Sequence, residues 1–297
     1  MPFSPLDDLG PTSRSYMSQR LRLNYLDWGN SDAPTLILLH GGRDHARSWD
    51  WTARALREDW HVIAPDLRGH GDSSWSPDGS YDIHDFVYDF AQLVHQLGDE
   101  PLTIVAHSMG GAVATRYTAT FPETVRRLVT IEGMGRPPAE VEMLAQKPMP
   151  ELWRQWVLDR RGISRRSPRR YSRIEDALER MREANQHLSE ERLRHLTLHG
   201  LNRNEDGSFS WKYDNMFFSQ IPLQESEADM AAIWNNISCP VLLCHGSNSW
   251  ASDPVKDGRF VHFRNAQMVY FEQSGHWLHH DEFDKFVSVV SDFIKMD

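Results

Sequence analysis

Residues 102–111 read LTIVAHSMGG. An apolar run ends in Ser108, with Ala106 two positions before it, Gly110 two positions after it, and a further stretch of helical spacing, GAVATRYTATFP, following. A small-x-Ser-x-Gly turn between a strand and a helix is a nucleophile elbow. Only small neighbours fit so tight a turn, which lifts the serine hydroxyl above the sheet edge at a helix N-terminus. There the backbone N–H of Met109 points at any oxyanion that forms. A serine hydroxyl is a weak nucleophile and needs a base poised near neutral pH, for which histidine is the natural choice. Of the 15 histidines, His276 closes the final apolar run, AQMVYFEQSGH, and so can face the same edge as Ser108. Such a base is held in the right tautomer by a carboxylate. Two candidates exist: Glu132, in VTIEGMG, and Asp253, in SWASDP. Glu132 is favoured, because an acid ending an apolar strand would be costly to bury without a partner.

These residues need a scaffold. RLRLNYLDWG alternates like an edge hairpin strand. TLILLHGG, WHVIAPDLRGHGDS, LTIVAHSMGG and RRLVTIEGMG are short apolar runs ending in glycines, as expected of strands buried on both faces. IHDFVYDFAQLVHQLG has helical spacing and a glycine stop. Strands alternating with helices imply a mostly parallel sheet covered on both sides, an α/β architecture. The rhythm breaks after Gly135 and resumes with CPVLLCHG and a closing helix, DEFDKFVSVVSDFIKM. Residues 1–135 and 226–297 are therefore read as one domain, and 136–225 as a helical insertion.

Composition narrows the function. A formal net charge of −10 repels phosphate backbones and argues against general nucleic-acid binding. Cys239 and Cys244 flank one strand, too far apart to bridge, and read as reduced core thiols. The start of the chain shows no secretory leader, and no apolar run approaches the ~18 residues of a membrane span. A cytoplasmic protein is the expectation.

The elbow, together with LLHGG, DLRGHGDS, LLCHG and SGHW in that order, resembles the α/β-hydrolase superfamily across nearly the whole chain outside the insertion. IEGMG and GSNSWASDP further resemble its serine-hydrolase-like, carboxylesterase-like branch. The resemblance implies a central sheet of about eight strands, with the insertion after strand six serving as a cap. It implies a second oxyanion donor at the backbone N–H of Gly42, and His276 as general base. In this superfamily the acid commonly follows the strand VLLCHG three residues past its glycine; that position is Ser249, which has no charge to give. Some branches carry the acid after strand six, where Glu132 stands.

The implied activity is serine-dependent hydrolysis of a carboxylic ester or related acyl compound, with a small-molecule substrate and no cofactor. Acyl transfer, C–C hydrolysis, perhydrolysis and a non-catalytic ligand binder remain alternatives. Other signals read more plainly. Seven arginines between Arg160 and Arg173 read as a solvated surface. Trp153 and Trp156 suit either an acyl pocket or cap-to-core packing. HWLHHDEF and RGHGDS lack metal-ligand spacing, so no metal is expected, and His279, His280 and Asp281 are expected to begin the last helix. No G-x-G-x-x-G fingerprint follows a strand.

Overall fold

The computed structural model describes residues 10–219 and 225–295. The extreme N-terminus, read above for a leader, and residues 220–224 of the insertion lie outside the described residues, as do the last two.

Eight strands form one sheet: β1 (Thr12–Ser18), β2 (Leu21–Asp27), β3 (Thr35–Leu39), β4 (His61–Pro65), β5 (Leu102–His107), β6 (Val125–Ile131), β9 (Val241–Gly246) and β10 (Ala266–Phe271). Their spatial order is β1-β2-β4-β3-β5-β6-β9-β10. β1, β2 and β4 pair antiparallel, and every later neighbour pair is parallel. β5, which carries the serine, is central. Its flanks β3 and β6 are the strands that end in HGG and EGMG.

Both faces are covered because alternate residues of each buried strand point to opposite sides. Ile37, Leu39, Ile104 and Ala106 enter one core with Phe86 and Phe90 of α2 (Ile83–Leu97) and Val113 and Tyr117 of α3 (Met109–Thr120). Leu36, Leu38 and Val105 enter the other with Ala53 and Leu56 of α1 (Asp50–Leu56) and Phe286 and Val290 of α10 (Phe283–Lys295). α2 stops where its sequence says it should: Gly98 adopts a left-handed conformation, φ 115°.

Between β6 and β9 the chain leaves the sheet. It forms α4 (Pro138–Ala145), α5 (Met149–Ser164), α6 (Ile174–Ala184) and α7 (Glu190–Gly200), then a small antiparallel pair, β7 (Leu201–Arg203) and β8 (Phe209–Trp211). It returns through α8 (Glu227–Asn236). The β7–β8 hairpin was hidden in the sequence by its length of three residues a strand, too short for alternation to show. Leu178, Leu193 and Leu196 make a separate apolar cluster within this excursion.

One expectation is corrected. His279, His280 and Asp281 do not begin α10 but close a separate short turn, α9 (Leu278–Asp281). Both imidazoles are buried: His279 lies against Trp49, ring centroids 4.7 Å apart, and 4.3 Å from His280. Polar by residue type, they pack here as flat rings. Among the described residues no helix is long and apolar enough to cross a membrane.

Candidate active site

The sheet brings the candidate residues to one edge by successive rungs of its hydrogen-bond ladder. Ser108 N–H donates to Ile131 O at 2.8 Å, and Glu132 N–H donates to Cys244 O at 3.1 Å. Ser108 therefore sits just past the end of β5, Glu132 just past β6, and the 246–249 turn just past β9. Ser108 holds φ 51° and ψ −117°, and Glu132 holds φ 50°. Positive φ in residues with a Cβ is strained by about 1–3 kcal/mol each and persists only where surroundings enforce it.

What enforces it is close backbone packing. A Cβ on Gly110 would lie under 3.0 Å from the carbonyl oxygens of Leu39 and His40, so the first turn of α3 is pressed against the end of β3. A Cβ on Gly111 would lie 2.5 Å from both Gly133 Cα and Thr130 Oγ1. The paired glycines of HSMGG and IEGMG are thus one contact seen from two sides.

The Glu132 side chain has no solvent exposure. Its Oε2 lies 2.5 Å from His276 Nδ1 and accepts the Ser249 hydroxyl at 2.6 Å. Its Oε1 accepts the Gly246 N–H at 2.9 Å and lies 3.2 Å from His245 Nδ1. A buried carboxyl needs such partners on both oxygens. Burial, and then the nearness of Glu132, push the Cys244 thiol far above its usual range. Both cysteines are free and buried, as read from the sequence.

Asp253 is engaged elsewhere. Its oxygens accept Tyr270 Oη at 3.2 Å and the Val255 N–H at 2.9 Å, and Lys256 Nζ is 3.4 Å away. Burial raises its pKa, but the Val255 N–H, His245, Lys256 and Tyr270 together bring it below the ordinary carboxylate value.

His276 is held from three directions. Glu132 takes Nδ1. His107, the residue before the serine, donates through Nε2 to His276 O at 2.9 Å, with ring centroids 4.7 Å apart. Burial, and then the neighbouring His276 and His279, keep His107 well below the usual histidine range, so it acts as a neutral donor. Trp250, 80% exposed, lies against the His276 ring, centroids 4.5 Å apart.

Gly41 and Gly42 face the elbow from the opposite side. A Cβ on Gly41 would lie 3.1 Å from Ser108 Cβ, and one on Gly42 would lie 3.9 Å from Met109 Sδ. Gly42 is also covered by Phe217, which comes from the excursion and would stand 3.2 Å from such a Cβ.

A cavity of about 330 Å³ opens beside Met109 along α3. Ala112, Met134 and Met230 give it apolar walls, and Arg116 and Glu225, an ion pair of 2.7 Å, also line it. Ser108 is not among its lining residues, so the cavity adjoins the elbow at Met109. Neither sequence-picked tryptophan lines it. Trp153 is 56% exposed, and Trp156 donates to Ser219 O at 3.2 Å. In the Arg-rich stretch, Arg170 pairs with Asp206 and Arg173 with Glu175, all at exposed positions.

Sequence reasoning missed Ser249 as a donor to the acid, Trp250 and His107 as neighbours of the histidine, and Phe217 over Gly42. Ser249 carried the one usable signal, a hydroxyl where a carboxylate would otherwise stand. Phe217 carried none, because only packing brings the excursion over HGG.

The alpha/beta hydrolase fold family matches residues 34–283. An esterase of Mycobacterium tuberculosis is 28% identical over 290 residues, 95% of this chain and 89% of that protein. A serine hydrolase-like protein of Danio rerio is 32% identical over 188 residues, 63% of this chain and 57% of that protein. Among solved structures, the thioesterase domain from the curacin biosynthetic pathway has a TM-score of 0.81 at 23% identity, covering 95% of this chain and 99% of that one. The crystal structure of the M. tuberculosis esterase has a TM-score of 0.71 at 24% identity, covering 96% and 92%. A family match over most of the chain, spanning every strand-ending motif that meets at this sheet edge, places the protein in the alpha/beta hydrolase fold family.

Proposed function

We propose that the protein is a serine hydrolase that cleaves a carboxylic ester or related acyl compound through an acyl-enzyme. The reading rests above all on the 2.5 Å contact between His276 Nδ1 and Glu132 Oε2, made beside an elbow serine. With Nδ1–H directed at Glu132, the His276 tautomer leaves Nε2 free to act as base. Ser108 attacks the acyl carbon and its proton passes to His276. Glu132 orients the ring and offsets the positive charge that develops on it. The backbone N–H groups of Met109 and Gly42 stabilise the oxyanion, an arrangement worth several kcal/mol where donors are preorganised (about 2.7–4 for one donor). His276 then returns the proton to the leaving alcohol, and water repeats the sequence on the acyl-enzyme. No step calls for a cofactor or a metal.

Residues 136–225 act as the cap in this reading. Phe217 reaches from it onto Gly42, so cap position and the oxyanion site are physically linked. The cavity beside Met109 receives the acyl group: its methionine walls are adaptable, and the Arg116–Glu225 pair adds charge to its lining. The relatives' names, esterase and serine hydrolase-like, agree in kind.

The test is covalent. A fluorophosphonate probe should label the protein at Ser108 and leave Ser108→Ala unlabelled, and a chain-length series of p-nitrophenyl esters should then show turnover with a length optimum. Labelling that persists in Ser108→Ala, or none in the wild type under conditions where it is folded, refutes the assignment and leaves a ligand-binding protein of this fold.

A further inference from the structure

The seam between the excursion and the sheet holds a pair of imidazoles for which the proposed chemistry has no use. His195 and His199 stand four residues apart on α7 and so share one helix face. Their ring centroids are 4.4 Å apart. Facing them is Asp50, the first residue of α1, whose side chain is fully buried. One ligand atom from each of the three residues lies within 4.8 Å of the other two. His195 Nε2 and Asp50 Oδ2 are 3.3 Å apart. Bonds of about 2.0–2.1 Å to a tetrahedral ion set neighbouring ligand atoms about 3.3 Å apart, so this pair already spans one edge of such a site.

We propose that Asp50, His195 and His199 bind a divalent transition-metal ion that ties α7 to α1. Two imidazole nitrogens and one carboxylate oxygen suit zinc, cobalt or nickel better than magnesium or calcium, which favour oxygen alone. The ion takes the place of the proton that His195 Nε2 now shares between Arg47 O, at 3.1 Å, and Asp50. A fourth position is left to water. Arg47 donates through Nε and Nη2 to the same carboxylate and fixes its orientation, as an outer partner of a metal ligand does. Its positive charge also competes with the ion, so binding is weaker than at a structural zinc site and reversible by chelators. The site shares no residue with Ser108, His276 or Glu132. Its effect is to fasten the excursion to the core, where His45 Nε2 and Leu196 O already meet at 3.0 Å.

The full chain, stripped with EDTA, is titrated with Co²⁺ and then Zn²⁺. The expected results are a visible cobalt absorption band saturating at one ion per chain, its loss on adding zinc, and a rise in Tm with zinc that EDTA reverses. His195→Ala and His199→Ala should each abolish the band and the Tm rise. His84→Ala should keep both, since the other clustered set, Asp82, His84 and Asp85, is not the proposed site. Far-UV dichroism checks folding, and His199→Gln, closer in volume, replaces any alanine variant that unfolds. No band and no Tm change in the wild type, a band that survives loss of His199, or one lost with His84, overturns the proposal. Fluorophosphonate labelling of Ser108 is read separately, so failure here is distinguishable from failure of the hydrolase reading.

Discussion

In the proposed mechanism a glutamate at position 132 does from the end of β6 what an aspartate would otherwise do from the turn after β9. The extra methylene supplies reach, and the 246–249 turn supplies donors in place of the acid. Ser249 is therefore engaged rather than vacant: its hydroxyl sits on the oxygen that meets His276. In the proposed mechanism Glu132→Gln presents the wrong hydrogen-bonding atom to Nδ1. Turnover should fall by about 10⁴-fold with the fold kept, as for wrong-tautomer variants generally. Asp253→Asn should stay near wild type, because its partners are Tyr270, Val255 and Lys256. Equal losses in the two variants, read as kcat/KM on one p-nitrophenyl ester, would contradict the assignment. Ser249→Ala removes one of several contacts to Glu132, and a hydrogen bond to a charged group is worth about 1.5–3 kcal/mol. With the Gly246 N–H and both histidines retained, the expected loss is at the low end, roughly tenfold in kcat. An unchanged kcat would show that Ser249 only fills space.

At the scale of elements, the edge that carries the site is set by backbone contact more than by side-chain packing. α3 meets the 130–133 turn glycine against glycine, and meets β3 at Gly110. Gly111→Ala puts a methyl where Gly133 Cα and Thr130 Oγ1 already stand. Overpacking of this kind costs about 1–3 kcal/mol, and a protein of this size loses roughly 2–4 °C in Tm per kcal/mol. Calorimetry should show that fall, and kcat should drop with it because Ser108 and Glu132 flank the contact. A variant with wild-type Tm would mean that α3 shifts freely. Much of this level was legible in the chain. Apolar runs ending in glycines gave β3 through β6 and β9. What stayed hidden depends on which turns face one another in space. No local pattern of TSRSYMS identifies an edge strand whose outer positions face water, so β1 had to be seen. Phe217 reaches Gly42 only through the packing of the excursion. His279 and His280 read in sequence as the start of the last helix, yet lie among Trp49, Trp277 and Phe286.

Across the whole molecule the buried histidines set the response to acid. Burial lowers His45 and His70 to about 4, and lowers His40, His107, His279 and His280 well below the ordinary value of 6.5. Groups with depressed pKa values in the fold bind protons first in the unfolded chain. Their contribution is present above pH 6.5 and is lost as pH falls toward 4. Burial acts oppositely on Asp44 and Asp66, raised to about 7 and about 6. These two take up protons in the fold first, so they favour folding as pH falls over the same range. Asp89 and Asp281 are also raised, by burial first. With His199, also lowered to about 4 by burial first, seven histidines outnumber these four acids, and every tenfold loss of proton affinity on folding is worth about 1.4 kcal/mol, so the imidazoles prevail. Thermal melts should show Tm declining from pH 6.5 to 4, and a flat or rising Tm there would contradict the assignment of neutral buried rings.

Placing the negative group at the end of β6 also decides how the machinery is divided along the polypeptide. Ser108 and Glu132 both precede the excursion, and His276 follows it. In the proposed mechanism a protease nick anywhere in 138–219 would leave nucleophile and acid on one fragment and the base on the other, held together by the β6–β9 pairing and by the packing of α8 and α10 on the rest of the core. Had the acid stood at position 249, the same cut would have kept it with the histidine. Cleaved protein should therefore retain activity while the two pieces stay associated, and lose it when denaturant separates them.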